Sequence, residues 1–160
     1  MQNNYDSEKG NRIGWYCSYC EMPIKNMPEV EHVIPVANQG PELDWDNFLL
    51  ACKYCNVNKL DHNKDRTSYI WPDQDNTFRA LEYKFGFPIQ PAHHLNTSEQ
   101  SLAFAIISLC GLDREQGSPT PPTLKDNRWR SRTEAWGIAQ ESYSNWLESP
   151  TYVFREMPSF

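Results

Sequence analysis

Two Cys-x-x-Cys pairs are the clearest metal-binding pattern in this sequence. Cys17 and Cys20 form the first pair, and Cys52 and Cys55 form the second. Each pair can place two thiolates on one metal ion from a single tight turn. Two pairs complete a tetrahedral shell of four sulfurs, which is the closed geometry of structural zinc sites. The four cysteines therefore predict a structural Zn²⁺ ion that staples this part of the chain.

A carboxylate and a histidine stand side by side between the two cysteine pairs. Glu31 and His32 lie in the β-branched run 30–36, which we predict to be a short strand that Pro35 limits to an edge or an end. Neighbouring residues of a strand point to opposite faces, so these two side chains should separate unless the strand bends. Because four cysteines already satisfy a zinc ion, His32 is free for chemistry.

The segment from about residue 13 to residue 59 carries a compound pattern. A Glu-His dipeptide is followed by Val-Ile-Pro, then by Asp-Asn-Phe-Leu-Leu, and then by Cys-x-x-Cys-Asn-x-x-Lys. The segment resembles an HNH endonuclease of the Cys₄-zinc type, a family with a ββα-metal fold. The family's first His matches His32, its middle Asn matches Asn47, and its third position matches Asn56. Glu31 stands where the family most often has Asp.

The resemblance implies a metal-dependent endonuclease that hydrolyses DNA phosphodiester bonds. Such a reaction needs an activated water, neutralised phosphate charge and help for the leaving oxygen. His32 is expected to be the general base, since an imidazole can take a proton from water near neutral pH. Glu31 and the amide oxygen of Asn56 are hard donors and are expected to hold a catalytic Mg²⁺ or Mn²⁺ ion. Asn47 is expected either to brace the loop that carries His32 or to be a simple turn or cap residue.

Polar residues follow the second cysteine pair on a predicted helix from about residue 56 to residue 65. Asn58 and His62 on this helix are either additional ligands or part of a solvated polar face. Three basic residues are predicted to contact the substrate: Lys59, Lys64 and Arg66. A denser basic cluster further along either tracks a nucleic-acid backbone or flanks an aromatic face, and consists of Lys125, Arg128, Arg130 and Arg132.

The net charge limits how this protein can bind nucleic acid. Its 160 residues carry a formal net charge of -6, the wrong sign for a stand-alone nucleic-acid binder held by bulk charge. Contact with DNA, or with RNA, must then come from a local basic patch, from bound metal or from a partner subunit.

The same composition bears on location. No apolar run is long enough to span a membrane and no signal peptide is supported, so the expected location is the cytoplasm. Five cysteines in a reducing compartment favour metal binding over disulfides, and the odd one, Cys110, is expected to be a buried small hydrophobe.

The expected fold is α+β, with a zinc-stapled ββα-metal module at residues 1–68 and a mostly helical C-terminal extension at residues 69–160. In the extension, an aromatic stretch at 78–87 predicts a short strand or hairpin. Capping residues predict a helix from about residue 97 to residue 109. A proline-rich linker at 117–123 precedes a last helix from about residue 126 to residue 147.

One face of this last helix is unusually aromatic. Its residues alternate in steps of three and four: Trp129, Arg132, Trp136, Ala139, Tyr143 and Trp146. This face either packs on the rest of the protein or docks on a partner.

The stretch Trp-Pro-Asp-x-Asp-Asn-Thr-Phe and the Arg- and Trp-rich last helix resemble the extension found on small bacterial HNH proteins. Some of those proteins pair with an ATPase in anti-phage systems of the Septu type. This second resemblance implies a partner such as an ATPase subunit, docked through Trp129, Trp136, Tyr143 and Trp146. The alternative from another functional class is a non-catalytic zinc module that binds protein.

Overall fold

A computed structural model describes residues 14–24 and 26–149 of the chain. The first 13 residues of the predicted 1–68 module and the last residues of the extension, 150–160, lie outside the described residues. The described part holds four α-helices and two small antiparallel sheets, which confirms the predicted α+β class.

An antiparallel hairpin forms the centre of the first module. Strand β1 (Glu29–His32) pairs with strand β2 (Phe48–Ala51), and His32 lies opposite Phe48. The strand ends earlier than predicted, because the chain passes through Pro35 into a 3₁₀ turn at Val36–Asn38. A second 3₁₀ turn precedes β2, and the carboxylate of Asp44 caps it.

Helix α1 (Lys53–Lys59) follows β2 directly. The prediction placed this helix at about 56–65, which is wrong at both ends. It begins earlier because the Cys52 sulfur accepts a hydrogen bond from the Cys55 amide and acts as the N-cap. It ends at Leu60, whose φ of 44° lies in the left-handed region and interrupts the helical backbone. The hairpin and this helix together form a ββα unit.

The C-terminal extension begins with short elements. Helix α2 (Thr77–Ala80) leads into strand β3 (Leu81–Glu82), which pairs with strand β4 (Gln90–Pro91). The strand or hairpin predicted at 78–87 is therefore partly wrong, because its first residues are helical and its pairing strand lies beyond residue 87. The Asn76 side chain accepts a hydrogen bond from the Arg79 amide and so favours the helical turn.

Two longer helices complete the extension. Helix α3 (Thr97–Cys110) starts at the predicted capping residues, where Asn96 and Glu99 form a capping box. It ends at Gly111, which adopts the left-handed conformation with φ of 58°. Helix α4 (Arg128–Glu148) matches the predicted last helix to within two residues, and the predicted linker 117–123 contains no helix or strand.

A single hydrophobic cluster joins the ββα unit to the extension. It contains Leu50 and Cys55 from the unit, Trp71 from the connection, and Ile107 and Cys110 from α3. Cys110 is fully buried, as predicted. This cluster includes residues on both sides of position 68. Within it, α3 packs directly on α1.

Candidate active site and metal centre

The two cysteine pairs come together in the structure. The sulfurs of Cys17, Cys20, Cys52 and Cys55 all lie within 4.8 Å of one another, and within residues 14–24 and 26–149 no other group of His, Cys, Asp or Glu side chains is arranged to hold a metal ion. All four are free thiols. Hydrogen bonds with neighbouring thiols and burial raise the pKa of Cys20, whereas hydrogen bonds within the same cluster lower the pKa of Cys52. The donor set and its compactness fit zinc.

Backbone hydrogen bonds fix the two cysteine turns relative to each other. The Cys17 amide donates to the Met22 carbonyl at 2.9 Å and closes the first turn. The Ser18 amide donates to the Leu50 carbonyl at 2.8 Å, which attaches that turn to β2. Since β2 leads straight into Cys52, one strand positions both halves of the metal centre.

Glu31 points from β1 into the protein interior. The residue is only 4% exposed, and Oε2 lies 2.9 Å from the Lys59 ammonium. The Tyr19 hydroxyl donates to Oε1. Burial raises the pKa of Glu31 to about 7, although Lys59 acts in the opposite direction. Both carboxylate oxygens therefore already have a partner, and an ion at Glu31 would have to share the carboxylate with Tyr19 and Lys59.

Lys59 is buried, contrary to its predicted contact with substrate. The residue is 1% exposed, and besides its ion pair with Glu31 the ammonium donates to the His32 carbonyl at 2.7 Å. A phosphate at the surface cannot reach it. Lys59 instead fastens α1 to the end of β1.

The other two predicted substrate contacts have different surroundings. Arg66 pairs with Asp73 at 2.8 Å, donates to the Asp46 carbonyl and lies over the Trp71 ring. These contacts give Arg66 a structural role. Lys64 is exposed at the surface near the end of the module.

His32 occupies the face of β1 opposite Glu31, as strand alternation predicts. Its ring packs edge to face on Phe48, with centroids 4.9 Å apart, and Nε2 lies 3.0 Å from the Glu42 carbonyl. A carbonyl only accepts, so the neutral ring must donate from Nε2 and keep its proton-accepting lone pair on Nδ1. The hydrogen bond at Nε2 thus leaves Nδ1 of the half-buried ring able to accept a proton.

Asn47 holds the chain just after His32. Its amide oxygen accepts from the Ile34 amide at 2.8 Å, while its nitrogen donates to the carbonyls of Ile34 and Pro41 at 3.0 and 2.9 Å. The side chain is buried, and the cap of its 3₁₀ turn is Asp44. These contacts favour the bracing interpretation over the capping one.

Asn56 lies next to an acidic residue that the sequence interpretation passed over. Its side-chain nitrogen donates to Oε2 of Glu29 at 2.8 Å. Glu29 and Glu31 are two residues apart in β1, so alternation puts both on the face that meets α1. This alternation in the sequence could have identified Glu29 as a candidate ligand beside Glu31.

The neighbouring Asn58 is engaged in the interior. It donates to the Cys110 carbonyl and accepts from Arg114, which ties α1 to the end of α3. This structural use argues against Asn58 as an additional ligand, whereas His62 is exposed.

A comparison with protein families matches residues 17–62 to the model for the HNH endonuclease. The chain contains an HNH endonuclease domain. The matched segment includes all four clustered cysteines together with Glu31, His32, Asn47 and Asn56. A comparison with curated proteins gave no match. The family implies metal-dependent nuclease activity, acting on DNA, for this domain.

Outside the HNH domain, the predicted basic cluster does not form one surface. Arg128 is buried and reaches the sulfur of Cys55, whereas Arg130 is exposed and lies over the Trp129 ring. The two arginines therefore have different roles. Within the part of the chain that the structure describes, no helix combines the length and apolar character needed to cross a membrane.

Proposed function

We propose that this protein hydrolyses DNA phosphodiester bonds with His32 as the general base. The observation that carries the proposal is the orientation of the His32 ring, which the Glu42 carbonyl and Phe48 hold inside an HNH domain. The hydrogen bond at Nε2 leaves Nδ1 to accept a proton from the attacking water.

The backbone around His32 is held on both sides. The buried Lys59 ammonium holds the His32 carbonyl from α1, and Asn47 holds the following residues through Ile34. We propose that Lys59 and Asn47 are positioning residues. A general base gains from such support because its nitrogen must stay within hydrogen-bond reach of the water.

For the catalytic Mg²⁺ or Mn²⁺ ion, we propose that Glu29 joins Glu31 and Asn56 as a holding residue. When bound, the ion supplies charge neutralisation on the phosphate and stabilises the leaving 3′-oxygen. Two observations support adding Glu29. It already contacts the Asn56 amide, and both oxygens of Glu31 are engaged by Tyr19 and Lys59. Rotation of the Asn56 amide would turn its oxygen toward an ion beside Glu29.

Replacing Glu29 with glutamine is expected to weaken Mn²⁺ binding about tenfold or more, because the site loses a charged oxygen ligand. Titration of Mn²⁺ into the zinc-loaded protein, followed by electron paramagnetic resonance, measures this directly. Glu141→Gln, an exposed change on α4, is the matched control. If Glu29→Gln bound Mn²⁺ like the wild type and only Glu31→Gln bound it more weakly, the ligands would be Glu31 and Asn56, as the sequence predicts.

We also propose that α4 docks on a partner protein. Beyond Arg132 this helix lies largely in solvent, with Tyr143 61% and Trp146 42% exposed and their rings stacked at 6.0 Å. The same face begins at a cavity of about 580 Å³, where Trp136 stacks on Phe85. Exposed contiguous aromatic surface of this kind is typical of interaction sites. The partner suggested by resemblance is an ATPase subunit of an anti-phage complex in the cytoplasm.

The double change Tyr143→Ser and Trp146→Ser is expected to weaken binding to a purified ATPase partner at least about tenfold, since buried aromatics dominate interfaces. Biolayer interferometry with the intact chain would measure it. Glu141→Ser, an exposed change pointing away from the aromatic face, should bind like the wild type. Equal affinity for all three proteins would exclude this face as the docking surface.

A further inference from the structure

Arg128, the first residue of α4, is buried beside the cysteine cluster. The residue is 6% exposed, and its Nη1 lies 3.1 Å from the sulfur of Cys55. Cys55 belongs to α1 and is itself fully buried. The guanidinium thus links the start of the last helix to one of the four sulfurs.

Every N–H group of the Arg128 side chain has an acceptor. Besides Cys55, Nη1 donates to the Cys110 carbonyl at 2.9 Å, and Nη2 donates to the Gly111 carbonyl at 3.0 Å. Nε and Nη2 both donate to the Asp126 carboxylate, at 2.9 and 2.8 Å. An arginine has five N–H donors in a fixed planar fork, and all five are used here.

We propose that Arg128 is a positioning residue of the metal centre, which makes the seating of α4 and the binding of the metal ion depend on each other. A divalent ion on four thiolates carries a net negative charge, and a buried guanidinium hydrogen-bonded to one sulfur compensates part of it. Partners of this kind orient metal ligands and tune affinity. The inference rests on occupancy of the cysteine cluster by zinc.

Arg128 also connects the position of α4 to the metal centre. The chain between α3 and α4 contains no helix or strand from residue 111 to residue 127, so few local elements fix where α4 begins. Arg128 fixes the start of α4 because its guanidinium donates hydrogen bonds both to the carbonyls at the C-terminal end of α3 and to the Cys55 sulfur of α1. The start of α4 is thereby fixed against the HNH domain, while the helix beyond Arg132 stays largely in solvent.

Lysine cannot replace this arrangement. Its ammonium is a compact charge with three donors, and it cannot contact the carboxylate with two parallel bonds while also reaching a sulfur and two carbonyls. Arg128→Lys keeps the positive charge near Asp126 and therefore tests the fork geometry alone. Arg128→Met with Asp126→Asn removes both charges and avoids an unpaired buried carboxylate.

The experiment compares these two variants with Arg130→Met and wild type in the full chain. Zinc affinity is measured by chelator competition, the sulfur-to-metal charge-transfer band is measured after Co²⁺ substitution, and amide hydrogen exchange is measured in the first turns of α4. Both Arg128 variants are expected to lose about 10- to 100-fold in zinc affinity. They should also shift the Co²⁺ band and exchange faster at residues 128–134. Arg130→Met should match the wild type.

Three negative outcomes can be told apart. If wild-type protein binds neither zinc nor Co²⁺, the metal-centre assignment itself fails. If wild type binds both ions and the folded Arg128 variants show wild-type affinity and an unshifted band, only the role of Arg128 is overturned. Faster exchange in α4 without any change at the metal would mark Arg128 as a clamp for the helix alone, which also contradicts the proposal.

Discussion

Replacing Cys52 with alanine is expected to release zinc and unfold the ββα unit. Cys52 supplies one of the four clustered sulfurs and also caps α1, so one substitution removes a ligand and a helix N-cap. Structural zinc contributes about 10–16 kcal/mol in zinc-finger peptides, which is comparable to the whole stability of a typical domain at about 5–15 kcal/mol. Zinc stoichiometry by mass spectrometry and thermal unfolding by circular dichroism would measure both losses.

Cys110→Ala is the matched control for that experiment. Cys110 is fully buried, whereas Cys52 is partly buried, and Cys110 lies outside the cluster, with its backbone carbonyl rather than its sulfur in the Arg128 contacts. We expect this variant to keep one zinc ion per chain and to lose only about 1 kcal/mol of stability from the small cavity. If Cys52→Ala instead kept its zinc and its unfolding temperature, the Cys₄ assignment would be wrong.

His32→Ala is expected to lower the cleavage rate by about 10²- to 10⁴-fold, the usual contribution of a positioned general acid or base. The substitution removes the contact with Phe48 and the hydrogen bond to the Glu42 carbonyl, which together contribute about 1–3 kcal/mol to stability. The HNH domain should therefore remain folded and zinc-loaded. Rates on plasmid DNA and zinc content on the same samples would separate the two effects.

His94→Ala provides the control, because His94 is exposed and lies outside the HNH domain. It should cleave like the wild type if only His32 acts as the base. Loss of folding or zinc in His32→Ala would mark that histidine as structural. Near-normal cleavage by folded His32→Ala would place the general base elsewhere.

Local signals in the sequence predicted the cysteine cluster and the two long helices. Cysteine spacing determines a tight turn, and the capping box at Asn96 and Glu99 acts within a few residues, so neither depends on distant packing. The alternation of Glu31 and His32 across β1 is similarly local. The α+β class followed from these elements, whereas the HNH assignment followed from the resemblance of the compound motif to that family.

The contacts that the sequence did not reveal are long-range. The sequence predicted Lys59 on a polar helix facing solvent or substrate, and its burial depends on how α1 meets Glu31 across the sheet. In the sequence Arg128 is one of four clustered basic residues, yet besides the neighbouring Asp126 its acceptors come from two distant segments, at Cys55 and at Cys110 and Gly111. Such partners are set by tertiary packing, which no local pattern encodes.

Cleavage of supercoiled plasmid by the purified, zinc-loaded protein tests the central claim most directly. Wild type and His32→Ala would be compared with Mg²⁺, with Mn²⁺ and with a chelator of these ions, alone and with an ATPase partner, alongside labelled single-stranded DNA and RNA. We predict nicking or linearisation by wild type only, dependent on the added ion. Full zinc loading without cleavage of any substrate under any of these conditions would contradict the account and favour a non-catalytic zinc module that binds protein.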